Sequence, residues 1–140
     1  RSLSTRKVYR EALEILDFTG LAEKKNMRGS ALTMADKKRL EMARSLMTQP
    51  RLLMLDEAMA GLNQKETQEA LEVIRRLHEK KITLLLVEHV MEVIMPISHR
   101  VVVLDYGKKI AEDVPEKIID NEEVIKAYLG EKYHAARRKN

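Results

Sequence analysis

The chain has 140 residues, of which 44% are hydrophobic and 34% charged, and its formal net charge is +4 at pH 7. These proportions are typical of a globular protein and exclude a disordered one. Cysteine is absent, which excludes disulfides and thiolate metal sites. No apolar run has the length needed to cross a bilayer, so we expect any membrane association to be peripheral.

The positive charge is concentrated in the first 50 residues, whereas the remainder is close to neutral. A basic segment can bind nucleic acid or anionic lipid. Here basic and acidic residues alternate, and aromatic residues, which stack on bases in single-strand binders, make up only 4% of the chain. A solvated helical surface is the preferred interpretation, and no nucleic-acid partner is predicted. The chain begins with Arg-Ser and shows no signal-peptide pattern, which indicates a fragment.

The first part of the chain is predicted to be helical. Residues 5–17 place apolar side chains at helical spacing. After a turn-rich connector, NMRGSA, Thr33 is the predicted N-cap of a second helix, with Asp36 near the positive end of the helix dipole. That helix is predicted to stop at Pro50. Its predicted buried stripe consists of Leu40, Ala43, Leu46 and Met47.

Strands and helices then alternate. RLLMLDE and ITLLLVE predict short strands buried on both faces, separated by a helix over residues 64–80. HVMEVIMPIS predicts a short helix broken near Pro96, and HRVVVLDYGKKIAED predicts two strands joined at a Tyr-Gly turn. NEEVIKAYLG predicts one more short helix, and HAARRKN a frayed tail. This order predicts an α/β fold with a parallel core preceded by helical material.

Polar pairs end both predicted core strands: Asp56 with Glu57, and Glu88 with His89. Ligands bind beyond the carboxyl ends of open parallel sheets, so the pairs should meet at one rim. There an Asp can bind Mg²⁺, a Glu can orient and deprotonate a water molecule, and a His can hydrogen-bond a transferred phosphate. The alternatives stay open, because acids often end a strand that emerges into solvent and a lone His is more often structural.

Three stretches resemble, in order and spacing, the second half of an ABC-transporter ATP-binding subunit: LTMADKKRLEMARSLMTQPRLLMLDEAMAGLN, LLLVEHVMEVI and RVVVLDYGKKIAED. The tail VPEKIIDNEEVIKAYLG is similar to the branched-chain amino-acid importer branch. The resemblance implies a partial P-loop NTPase core with parallel strands flanked by helices. It further implies part of the helical subdomain with the signature helix over residues 1–50, the second half of the ATPase core over 51–113, and a helical tail over 114–140.

The resemblance also implies a role for each motif residue. Asp56 would serve Mg²⁺, Glu57 would be the catalytic base, and His89 the switch histidine that senses the γ-phosphate of ATP. The D-loop, which crosses the dimer interface in this family, would be Ala60, Gly61, Leu62 and Asn63. The signature segment, which faces the ATP held by the opposite subunit, would be Thr33, Met34, Ala35 and Asp36.

Two features depart from the family pattern. The signature is usually close to Leu-Ser-Gly-Gly-Gln, whereas LTMAD places Met34 and Ala35 at the glycine positions and Asp36 at the glutamine. An acid facing a triphosphate should weaken binding unless it points away or caps its own helix. The phosphate-binding pattern Gly-x-x-x-x-Gly-Lys-Ser/Thr does not occur in the 140 residues, so this chain alone is expected to be inactive.

The implied parent protein would hydrolyse ATP with Mg²⁺ to drive branched-chain amino-acid import. It would pair with a second ATP-binding subunit, identical or different, and dock on transmembrane permease subunits at the cytoplasmic face of the plasma membrane. The rival hypotheses are a non-catalytic module that docks a membrane partner, or an ABC ATPase of DNA repair or translation. We also expect uncovered apolar sheet surface and, at the N-terminal edge, rearrangement, self-association or a non-native fold.

Overall fold

The computed structural model describes residues 2–129. Two compact units follow each other along the chain, the first ending at His89 and the second beginning at Val90. The predicted frayed tail and the end of the predicted helical tail, residues 130–140, lie outside the described part. None of the described helices is both long and apolar enough to span a bilayer.

The first unit contains three long helices: α1 (Ser2–Phe18), α2 (Met34–Leu46) and α3 (Gln64–Glu79). They confirm the helices predicted from apolar spacing. The connector between α1 and α2 forms two 3₁₀ turns, over residues 22–24 and 29–31. The buried apolar side chains of these helices include Met42, Ala43, Leu46, Leu71, Ile74 and Leu77.

Both α2 and α3 begin at a capping box, in which two backbone N–H groups that the helix leaves unpaired gain side-chain acceptors. Thr33 Oγ1 accepts from the Asp36 N–H at 3.2 Å, and Asp36 Oδ2 accepts from the Thr33 N–H at 3.3 Å. Asn63 and Glu66 form the equivalent pair at α3, at 3.0 and 2.9 Å. The predicted N-cap at Thr33 is therefore confirmed, and Asn63 fixes the start of the next helix.

The strands β1 (Leu52–Asp56) and β2 (Thr83–Val87) pair in parallel, with Leu52 opposite Thr83 and Asp56 opposite Val87. Parallel neighbours in register end at the same edge of the sheet. The predicted arrangement, in which the two strands share one rim at their carboxyl ends, is confirmed.

The prediction that both strands are buried on both faces is wrong for this chain. Leu53 is only 5% exposed, and Leu55, Leu84 and Leu86 on the same face are partly buried. The opposite side, which we call the open face, consists of Leu52, Met54, Leu85 and Val87, which are 47–66% exposed. Strands of a parallel sheet normally have helices against both faces, and the described residues of this unit cover one.

The second unit contains a β-hairpin and short helices: α4 (Met91–Ile94), β3 (Val101–Asp105), β4 (Lys108–Asp113), α5 (Pro115–Ile118) and α6 (Glu122–Val124). Residues Ile125–Leu129 continue α6 as a π-helical turn. The predicted Tyr-Gly turn is confirmed: Tyr106 and Gly107 have φ of 43° and 76°, as a two-residue hairpin turn requires. The core of this unit is formed by Val101, Val103, Ile118 and Val124.

Candidate functional site

The candidate site lies at the carboxyl ends of β1 and β2. Asp56 ends β1, and Glu57 and His89 follow the two strand ends. Glu57 Oε1 lies 3.7 Å from His89 Nδ1, and both side chains are more than 60% exposed. This separation is an ion-pair distance for a protonated histidine and is longer than a hydrogen bond. The structure therefore brings together a carboxylate and an imidazole that the sequence places 32 residues apart.

The backbone of Glu57 is in the left-handed region, with φ of 46°. This conformation is unfavourable for a residue with a Cβ atom, and such residues are often found at functional sites. Hydrogen bonds hold the residue from both sides. Its N–H donates to the Val87 carbonyl at 2.9 Å, and its carbonyl accepts from the Ala60 N–H at 3.1 Å and from Lys38 Nζ at 2.7 Å.

The predicted D-loop residues form the tight turn that follows Glu57. The Leu62 N–H donates to the Met59 carbonyl at 3.2 Å, and Gly61 has φ of 76°, where a side chain would be strained. The Met59 N–H donates to Glu88 Oε1 at 3.0 Å. Glu88, placed at the rim by the sequence without a role of its own, therefore ties the end of β2 to this turn.

The predicted signature segment opens α2, and its four residues differ in exposure. Thr33 and Met34 are exposed, Met34 by 61%, whereas Ala35 and Asp36 are buried. Asp36 Oδ2 accepts from Lys24 Nζ at 2.6 Å and also caps its own helix. The carboxylate expected to face a nucleotide is thus paired within its own chain, which satisfies the condition stated for an acid at this position.

Burial disfavours the charged form of Asp36, but hydrogen bonds from Lys24 and Thr33 outweigh it and lower the pKa of this carboxyl below its ordinary value. Asp36 is therefore ionised at neutral pH and neutralised by Lys24. Sequence reasoning missed Lys24 because it lies 12 residues before Asp36, in a connector without periodicity.

We expect Asp36→Asn to destabilise the chain at pH 7 by about 1–3 kcal/mol, since the negative partner of the ion pair with Lys24 is lost. The carboxyl of Asp36 binds its proton more weakly in the folded chain than in the unfolded one. Its contribution to the free energy of unfolding is therefore complete above the unfolded pKa of about 4. That contribution disappears as the pH falls through the folded pKa. The difference in free energy of unfolding between Asp36→Asn and the unsubstituted chain should therefore shrink over the same pH range. Urea denaturation of both chains between about pH 7 and pH 2.5 measures this difference.

Glu41→Gln, on an exposed position of the same helix, is the matched control and should show no such pH-dependent difference. A deficit of Asp36→Asn that is equal at pH 3 and pH 7 would contradict the assignment of the ion pair.

The candidate site fits part of a magnesium–nucleotide site. Within residues 2–129, no three His, Cys, Asp or Glu side chains form a cluster that could hold a metal ion. Mg²⁺ at nucleotide sites commonly uses one or two carboxylates, with phosphates and water as its other ligands. Asp56, the predicted Mg²⁺ ligand, has an exposed carboxylate at the strand end, as such a ligand requires.

Comparison with known proteins shows extensive similarity to one group. A family model described as "Branched-chain amino acid ATP-binding cassette transporter" matches residues 108–134. The high-affinity branched-chain amino acid transport ATP-binding protein BraF of Pseudomonas aeruginosa is 46% identical over 131 residues, which is 90% of this chain and 51% of BraF. LivG of Escherichia coli, described in the same words, is 46% identical over 133 residues, with 91% and 52% covered. The chain therefore spans about half the length of the curated relatives it matches.

Solved structures show the same relationship. The ADP conformation of MJ1267, an ATP-binding cassette of an ABC transporter, superimposes with a TM-score of 0.81 at 26% identity, covering 89% of this chain and 51% of that one. CbiO1 from Clostridium perfringens, part of the transporter complex cbiONQ, has a TM-score of 0.78 at 23% identity, which supports the fold alone. The described architecture is that of a partial P-loop NTPase core.

Proposed function

Because this chain is homologous over nine-tenths of its length to ATP-binding subunits of branched-chain amino-acid ABC transporters, we propose that it is the C-terminal half of such a subunit. The observation that carries the proposal is the position of Glu57 and His89, 3.7 Å apart on the rim that Asp56 shares. We call this chain together with its complementary N-terminal half, which supplies the phosphate-binding loop, the complete subunit.

In the proposed reaction, each rim residue has one task. Bound Mg²⁺ supplies charge that stabilises the phosphates of ATP. Asp56 offers that ion a carboxylate at the end of β1. Glu57 orients a water molecule and accepts its proton, while His89 donates a hydrogen bond to the phosphate that is transferred. The left-handed backbone of Glu57, held by Val87 and Ala60, sets the direction in which its side chain leaves the main chain at the rim.

The proposed partners follow from the exposed start of α2 and the turn after Glu57. Thr33 and Met34 would approach the nucleotide bound by a second ATP-binding subunit, because a helix N-terminus favours an anion. Ala60 to Asn63 would meet the same partner. Transmembrane permease subunits would hold the pair at the cytoplasmic face of the membrane, in keeping with the transport role in the names of the relatives.

We expect the 140-residue chain alone to show no specific ATP hydrolysis, whereas the complete subunit hydrolyses ATP in the presence of Mg²⁺. The reason is that no glycine-rich phosphate loop occurs in this sequence to hold the β- and γ-phosphates. Phosphate release, measured for both proteins with and without EDTA, tests this directly. Specific hydrolysis by the chain alone, or an inactive complete subunit, would contradict the proposal.

A non-catalytic docking module is the second candidate, favoured by the exposed apolar side chains Val8 and Tyr9 on α1, which are 51% and 64% exposed. Exposed apolar side chains on a helix can contact a protein partner. On this view Glu57 and His89 have no catalytic task. Substitution of Glu57 in the complete subunit separates the two candidates.

A further inference from the structure

Lys38 lies in the second turn of α2 and reaches the turn that carries Glu57. Its Nζ donates to the Glu57 carbonyl at 2.7 Å across 19 residues of sequence. We infer that Lys38 is a positioning residue, which holds Glu57 in its left-handed conformation and links the start of α2 to the proposed base of the same chain. The inference rests on the proposed function only in so far as Glu57 is the base.

The carbonyl of Glu57 is the group that needs this support. The N–H of Glu57 is fixed by Val87, but its peptide plane on the other side is free to rotate unless the carbonyl is held as well. This carbonyl accepts from the Ala60 N–H at 3.1 Å and from Lys38 Nζ at 2.7 Å. The orientation of this plane is set by ψ of Glu57, so the two hydrogen bonds to the carbonyl hold ψ and keep the turn closed at a residue whose φ of 46° is itself disfavoured.

The contact from Lys38 is stronger than a neutral hydrogen bond because its donor carries a charge. Lys38 is partly buried as a residue, whereas its hydrogen bond to the Glu57 carbonyl is exposed to solvent. α2 does not depend on this contact for its own placement. The adjacent Arg39 forms an ion pair with Glu69 of α3, and Ala43 and Leu46 are buried on the same helix. A substitution of Lys38 should therefore alter the turn without unfolding the helix.

The same helix begins at the residues proposed to face the nucleotide of the partner. The Lys37 N–H donates to the Thr33 carbonyl at 3.0 Å in the first turn, and Lys38 follows directly. Lys38 thus joins the helix whose start is proposed to face the partner's nucleotide to the turn that carries Glu57 of the same chain.

The first test uses the 140-residue chain. Amide hydrogen exchange is compared in Lys38→Met, Lys38→Arg and Lys37→Met, the last at the exposed lysine that directly precedes Lys38 in α2. In Lys38→Met we expect the amides of Glu57 and Ala60 to exchange about three- to tenfold faster, because one hydrogen bond that closes the turn is lost. Lys38→Arg and Lys37→Met should stay close to the unsubstituted chain. Equal exchange in Lys38→Met and Lys37→Met would overturn the inference.

The second test uses the complete subunit and separates kcat from KM. Lys38→Met should lower kcat with little change in KM for ATP. Lys38→Arg should keep kcat close to that of the unsubstituted subunit, and Lys37→Met should leave both constants unchanged. If Glu57→Gln abolishes hydrolysis while Lys38→Met retains full kcat, the inference fails and the proposed function stands. If the complete subunit is inactive, the proposed function fails, and hydrogen exchange in the shorter chain still decides whether Lys38 holds the turn.

Discussion

Glu57→Gln in the complete subunit is expected to leave ATP binding nearly intact while the hydrolysis rate falls about 100- to 10,000-fold, the range attributed to general-base assistance. Glutamine has almost the shape of glutamate and can still hydrogen-bond a water molecule, but it cannot accept the proton. The backbone bonds of residue 57 to Val87, Ala60 and Lys38 do not involve the side chain, so the turn should persist in the variant.

Single-turnover hydrolysis and equilibrium binding of ATP measure the two parts of this expectation separately. His89→Ala should also lower turnover, since it removes a contact to the phosphate as charge shifts during transfer. Asp56→Asn should weaken nucleotide binding that depends on Mg²⁺, because it removes charge from the proposed metal ligand. Glu72→Gln, an exposed carboxylate on α3, is the matched control. Wild-type rates in all three site variants would favour the docking module instead.

The paired substitution Met54→Glu with Leu85→Lys is expected to weaken self-association of the 140-residue chain about 30-fold or more. Met54 and Leu85 are opposite one another on the open face and are 66% and 47% exposed. Burying the exposed part of both side chains would contribute about 2–3 kcal/mol to association, which the charges remove. The opposite charges can pair across the strands, so the monomer itself should remain folded.

Sedimentation velocity over a range of concentrations measures the association constant of each chain. Val8→Glu with Tyr9→Lys, which replaces two exposed apolar residues of α1, is the control and should associate like the unsubstituted chain. Monomeric behaviour of the unsubstituted chain at high concentration would contradict the role of the open face.

The features predicted correctly from the sequence depend on local chemistry. Apolar spacing predicted the long helices, the hydroxyl of Thr33 predicted the N-cap of α2, and the order of strands predicted the parallel pair that ends at Asp56. The same local rules could have found α5, because Pro115 occupies its first turn after the extended residue Val114.

The features that were missed depend on parts of the molecule distant in sequence. Strands rich in leucine and methionine indicate burial on both faces, but the composition of a strand does not reveal which elements cover it. The contacts of Lys24 with Asp36 and of Lys38 with Glu57 join residues 12 and 19 positions apart, without periodicity to indicate them. Nor could the left-handed backbone at Glu57 be predicted, since glutamate has no preference for it.

The left-handed backbone at Glu57 lowers the stability of the folded chain at the residue that is proposed to be the catalytic base. A glycine at residue 57 would relieve about 1–2 kcal/mol of steric cost, but it would remove the proposed base. Glycine at Gln49 or Lys81 would relieve the same steric cost without removing a proposed catalytic group. These residues have φ of 52° and 62° just after α2 and α3. Helices commonly end with glycine in this conformation. Glycine substitutions intended to raise the stability of the protein should therefore be made at these two helix ends and not at the rim.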